Sequence, residues 1–178
     1  KRLLTGLTLC AAFVSVAALA ADAPPPWAFP LNPPTPAAPP VKDDGSSKHV
    51  PGSSVALTRA QIAARGTVPD WHPDEHAAMP KIVGQGREPE VRACGYCHTP
   101  SGAGRPENTS LQGLTPGYIK QQIANFRNGD RNGSEPKRVP QTLMIAIAKA
   151  VSDAEVEDAA AYFSAAKPET FVKVVESA

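Results

Sequence analysis

The stretch Cys94-Gly95-Tyr96-Cys97-His98 constrains this chain more than any other. C-x-x-C-H is the attachment signature of a c-type haem, in which two thiols add across the porphyrin's vinyl groups and the adjacent imidazole binds the iron. The spacing has a mechanical reason. With two residues between the thiols, one helical turn presents both sulfurs to the macrocycle edge, and the next residue turns its ring beneath the metal. Other uses of C-x-x-C fit poorly. A thioredoxin-like redox pair sits among strands that alternate with helices, and no period-two pattern surrounds residue 94. A structural zinc site needs four ligands, and no second cysteine pair supplies them. A disulfide between residues three apart would be strained.

The remaining cysteine, Cys10, falls in a segment of another kind. Residues 1–20 have a basic start, an apolar run and a small-x-small ending at Ala18-Leu19-Ala20, which is the pattern of a secretory signal peptide cleaved near Ala20. Removing it leaves two thiols for two vinyl groups. The competing reading is a membrane anchor, for which the uncharged run from Leu3 to Ala21 is barely long enough. Export suits the chemistry, because bacterial haem c is attached on the outer side of the inner membrane to an unfolded chain, so the expected location is periplasmic. Losing Lys1 and Arg2 takes 18 basic residues to 16 against 17 acidic ones, a formal net charge of −1. So balanced a chain is expected to bind no nucleic acid and to carry no membrane span after cleavage.

With 20 prolines, a good part of the chain is expected to lie outside the packed core. They crowd residues 21–49, read as a Pro-rich linker in which Trp27 and Phe29 are possible docking points. Residues 50–178 read as one all-α domain. Thr58 with Gln61 predicts a capping box and a short helix stopped by Gly66. Pro80 can serve as a first-turn residue for Lys81 to Gly84. Thr115 and Pro116 predict the start of a helix that presents Ile119, Ile123 and Phe126 and ends at Gly129. Gln141 to Ala150 is helix-prone, and Ser152 with Glu155 opens a last helix whose inward face is Val156, Ala159, Ala160 and Phe163, ahead of Pro168. The tail from Phe171 reads as a short edge strand or an extended wrap.

From Cys94 to about Lys167 the motifs resemble, in order, those of a class I c-type cytochrome, similar to single domains of bacterial periplasmic dihaem cytochromes. They are C-x-x-C-H, G-x-G-R-P-x-N-x-x-L-x-G from Gly102, Y-I-x-x-Q from Tyr118, F-R-N-G-D-R from Phe126, M-x-x-I-A-K from Met144, Ser152-Asp153, and A-A-Y-F ending at Phe163. The resemblance implies a small helical domain wrapped around one covalent haem c, with His98 as proximal ligand and Met144 as distal ligand. It also implies that the Pro106 carbonyl accepts the His98 ring N–H. Two departures stand out: prolines break the region where an N-terminal helix is expected, and residues 24–75 match nothing in the minimal domain.

The rival sixth ligands are His49, His72, His76 and Met79, of which His76 and Met79 can share a helix face. Arg105 is a candidate partner for a propionate. Tyr118, Phe126, Tyr162 and Phe163 are expected to pack against the macrocycle. Arg127, Arg131, Lys137 and Arg138 form a basic cluster that can steer an acidic redox partner. The expected function is a periplasmic electron carrier without turnover of its own, serving a dehydrogenase, oxidase or reductase. Two alternatives stand beside it: a cytochrome subunit of a periplasmic dehydrogenase complex, and a haem sensor or enzyme with a labile sixth ligand.

Overall fold

A computed structural model describes residues 39, 42–133, 138–170, 175 and 176. The expected signal peptide, most of the Pro-rich segment with Trp27 and Phe29, Lys137 and most of the tail from Phe171 lie outside the described residues. Two two-residue strands, β1 (Ser47–Lys48) and β2 (Leu57–Thr58), pair antiparallel ahead of six helices. These are α1 (Arg59–Ala63), α2 (Lys81–Gly84), α3 (Cys94–His98), α4 (Pro116–Asn128), α5 (Val139–Ala150) and α6 (Asp153–Ala165).

Local capping chemistry accounts for most of these boundaries. Thr58 and Gln61 form the reciprocal box that starts α1, which ends at Ala64, two residues before the expected stop at Gly66. Thr115 accepts from the Tyr118 amide with Pro116 in the first turn of α4, and Gly129 closes that helix in the left-handed conformation, φ 85°. Helix α5 starts at Val139, earlier than expected, because Pro140 is tolerated in a first turn whose amides have no intrahelical acceptor. Ser152 and Glu155 form the second box and open α6.

Helix α4 packs on both α5 and α6, and α2 packs on α3 and α6. The shared core is Ile82, Val83 and Val91 from the segment before the motif, with Ile119, Val151, Val156, Ala160 and Phe163 from the later helices. Phe163, Val83 and Val91 are fully buried, each contributing about 1.5–3 kcal/mol of apolar transfer. Gly95 lets α3 approach this core, since a side chain there would meet Val68 Cγ2 and the Val83 carbonyl at 3.0 Å. Pro73, Pro80 and Pro89 leave the region before the motif without a long helix, as the sequence leads one to expect.

Candidate functional site

Helix α3 consists of the C-x-x-C-H motif itself and ends abruptly after His98. Thr99 turns the chain with φ 64°, an uncommon conformation for a β-branched residue, and two bonds hold it there. The Thr99 hydroxyl donates to the His98 carbonyl at 2.6 Å, and the Gly104 amide donates to the same carbonyl at 2.9 Å. His98 Nδ1 lies 2.9 Å from the Thr109 carbonyl. A carbonyl only accepts, so Nδ1 carries the proton and the Nε2 lone pair is left for a metal. Burial pulls the His98 pKa below its usual value, against a smaller upward pull from the Thr109 bond, which keeps the ring neutral. Its ring meets Phe163 edge-on, with centroids 6.2 Å apart.

The acceptor is therefore Thr109 and not Pro106, as the resemblance implied. The Asn108 amide bonds the Arg105 carbonyl at 2.9 Å, closing residues 105–108 into a turn that leaves Pro106 exposed. Arg105 is also exposed, its guanidinium 4.9 Å from the centre of the Tyr96 ring. Burial pushes the Cys94 thiol up to about 12 and raises that of Cys97, so both are protonated at neutral pH in the folded apoprotein.

A cavity with about 430 Å³ of space free of atoms, part of it open to solvent, lies beside α3. Cys94 and His98 line one side. Ile119 and Ile123 of α4, Met144 and Ile147 of α5, Leu111, Val151, and Glu155, Val156, Ala159 and Phe163 of α6 supply the rest, and the exposed surface is almost wholly apolar. Met144, Ile147 and Val151 follow at three and four residues, which brings the thioether to the cavity from a single helix face. Such an apolar envelope, with a neutral imidazole, a thioether and thiols on one helical turn, fits a covalently held haem.

The rival ligands are placed elsewhere. Both ring nitrogens of His76 face acceptors, Nδ1 the Ala77 carbonyl at 2.8 Å and Nε2 the Asp70 carboxylate at 3.1 Å, while its edge also meets the Tyr162 hydroxyl at 3.2 Å. His72 pairs with Glu75 at 3.2 Å. Met79 lines a separate groove with Val68, Pro80 and Lys81. Neither these residues nor His49 line the cavity that holds His98 and Met144.

Two further sets of expectations need correction: of the four aromatic residues expected to pack against the macrocycle, Phe163 lines the cavity, while Tyr118, Phe126 and Tyr162 do not. Tyr118 is exposed, because the Ile119–Ile123 face of α4 turns it away from the core. Arg127, read as part of a steering cluster, instead fastens three helices: Nε donates to the Ala148 carbonyl at 2.9 Å, Nη2 to the Val151 carbonyl at 3.0 Å, and Nη1 meets Asp153 at 2.9 Å. The sequence also gave no sign of Arg87, whose guanidinium bonds the Ala150 carbonyl at 2.9 Å and both oxygens of Glu155.

The cytochrome c family model matches residues 86–167. Cytochrome c-554(548) of Halomonas halodenitrificans is 32% identical over 78 residues, which are 43% of this chain and 88% of that protein. The chain belongs to the class I c-type cytochromes. Two longer relatives are similar to part of this cytochrome. Cytochrome c-552 of Acidithiobacillus ferridurans is 39% identical over 75 residues, 42% of this chain and 29% of that one. The thiosulfate dehydrogenase electron acceptor of Thiomonas intermedia is 30% identical over 129 residues, 72% of this chain and 48% of that one. The cytochrome thus spans less than half the length of these two relatives. Among its described residues no helix is long and apolar enough to cross a membrane.

Proposed function

We propose that this cytochrome is a periplasmic electron-transfer protein with one haem c, bound through Cys94 and Cys97 and ligated by His98 and Met144. The observation that carries the reading is the shared cavity: His98, with its Nδ1 proton committed to Thr109, and Met144 line the same apolar space beside the attachment turn. When bound, the haem supplies a one-electron couple between ferric and ferrous iron. The chain's own residues do the rest. Cys94 and Cys97 fix the ring's position, Thr109 orients the imidazole, and Arg105 pairs with a propionate beside Tyr96. Ile119, Ile123, Ile147 and Phe163 exclude water, which limits reorganisation on electron transfer. With His98 and Met144 holding the iron, the protein would perform no turnover of its own.

The count of one haem follows from the single C-x-x-C-H motif in this sequence. Residues 1–20 act as the export signal, the Pro-rich stretch within 21–49 as the linker and 50–178 as the haem domain, to which Ser47–Lys48 add a strand. A potentiometric titration tests the function: one reversible one-electron step is expected, with no carbon monoxide binding to the ferrous protein at neutral pH without denaturant. Ready binding of carbon monoxide would overturn the six-coordinate carrier in favour of a labile ligand and a sensor or enzyme.

A second reading, as an electron acceptor docked to a dehydrogenase of sulfur compounds, has a specific observation behind it. The similarity to the Thiomonas intermedia protein covers 72% of this chain, more than the haem-domain match alone. Reduction of the ferric protein by a thiosulfate dehydrogenase supplied with thiosulfate tests it, and no reduction would count against it.

A further inference from the structure

Among the described residues Glu155 is the one acidic residue lining the cavity, whose exposed surface is almost wholly apolar, so its carboxylate is turned out of the cavity onto Arg87 and the Ser152 amide. Its side chain is only 24% exposed, and three bonds fix it: Arg87 Nε at 3.2 Å, Arg87 Nη2 at 3.3 Å and the Ser152 amide at 2.8 Å. The cation has an anchored position too. The Arg87 amide donates to the Val91 carbonyl at 2.7 Å and the Val91 amide returns a bond at 3.0 Å, with the Val91 side chain fully buried just ahead of Cys94. Arg87 therefore ties the attachment segment to the α5–α6 corner by its Ala150 and Glu155 contacts. The groups facing Glu155 are Arg87 and the Ser152 cap, Glu90 acts on Arg87, and the field of Glu155 extends to Cys94, where it opposes thiolate formation.

An unpaired carboxylate in such a wall favours the more positive, ferric state, since charges interact strongly across a medium of low dielectric. We propose, on the reading that the cavity holds the haem, that Arg87 is a positioning residue that pins Glu155 behind the cavity wall as a charge-compensated group, which keeps the iron's potential higher than an unpaired carboxylate there would. The Arg87 and Ser152 bonds also hold the Glu155 carboxyl at about 2, outweighing the upward push of burial, so its charge is constant at neutral pH.

The test is a potentiometric titration of the covalently loaded wild type, Arg87→Gln, Glu155→Gln and the double variant between about pH 4 and pH 8, the range in which a released glutamate titrates. Arg87→Gln is expected to lower the potential and to add a rise at the acid end as Glu155 takes up a proton. Glu155→Gln, which keeps an acceptor for the helix cap, is expected to raise the potential without that added slope, and the double variant to return towards wild type. Arg87→Lys retains the charge and is expected to stay near wild type if Arg87→Gln does not fold. Equal potentials in wild type and Glu155→Gln, or shifts of both single variants in the same direction, would overturn the proposal. Failure of the underlying reading is visible separately, because the wild type itself would then lack covalent haem.

Discussion

The two ligand sides of the cavity are built by opposite means. On the proximal side polar bonds hold His98 directly: Thr109 takes its ring proton, and its own carbonyl accepts from Thr99 and Gly104. On the distal side Met144 has apolar neighbours, Ile147 and Val151, and a thioether that is only a weak acceptor. Its position depends on where α5 lies. The last turn of α5 is fastened instead, with Arg87 bonding the Ala150 carbonyl and Arg127 the carbonyls of Ala148 and Val151. Direct bonding preorganises His98, the proposed proximal ligand. Met144, the proposed distal one, is placed through the end of its helix, so changes at the α5–α6 corner reach it without touching it.

The largest change breaks the proximal side at its root. Replacing Cys94 and Cys97 together with Ala is expected to abolish covalent attachment, read as complete loss of haem stain from the denatured protein. Phe163→Ala comes next. Its ring is fully buried and meets both His98 and Tyr162, at centroid distances of 6.2 and 5.2 Å, so its loss should cost about 3–5 kcal/mol in denaturant unfolding. Arg127→Gln removes the distal fastener and should cost about 1–3 kcal/mol, with the ligation spectrum retained. A wild-type stability after that change would remove the distinction drawn between the two sides.

Local signals made much of this legible. Within each of the Thr58–Gln61 and Ser152–Glu155 boxes and the Thr115-Pro116 start the partners lie a few residues apart, so local sequence alone exposes them. The motif and Met144 carry their chemistry in residue type. Arg127 was misleading because its acceptors are backbone carbonyls of another helix, which leave no trace in the side-chain sequence. Arg87 and Glu155 are far apart in the chain, and only folding shows that they meet. The substitution of Thr109 for Pro106 as the acceptor depends on how residues 105–108 turn, a detail below the resolution of a motif.

The smallest effects are those of pH, and they separate the two regions again. Glu155 is lowered from 4.5 to about 2, so its contribution to stability is fully present above 4.5 and is lost as pH falls towards 2. His76, outside the cavity, behaves in the opposite sense. Burial pulls its pKa down, but the Ala77 carbonyl and Asp70 outweigh this and raise it above 6.5. Its contribution is complete below 6.5 and is lost as pH rises through the folded value. Thermal unfolding across pH should show both limbs, with Arg87→Gln weakening the acid limb and His76→Gln the alkaline one. Limbs unchanged by these substitutions would reassign them to other groups.

The most direct measurement is the absorption spectrum of the oxidised holoprotein in the far red, where ferric iron bound by a thioether shows a weak charge-transfer band, recorded for wild type and Met144→Ala. The account predicts a low-spin c-type spectrum with the band present in wild type and absent in the variant, with covalent haem retained in both. A wild type without the band, or a variant that keeps it, would contradict His98–Met144 ligation.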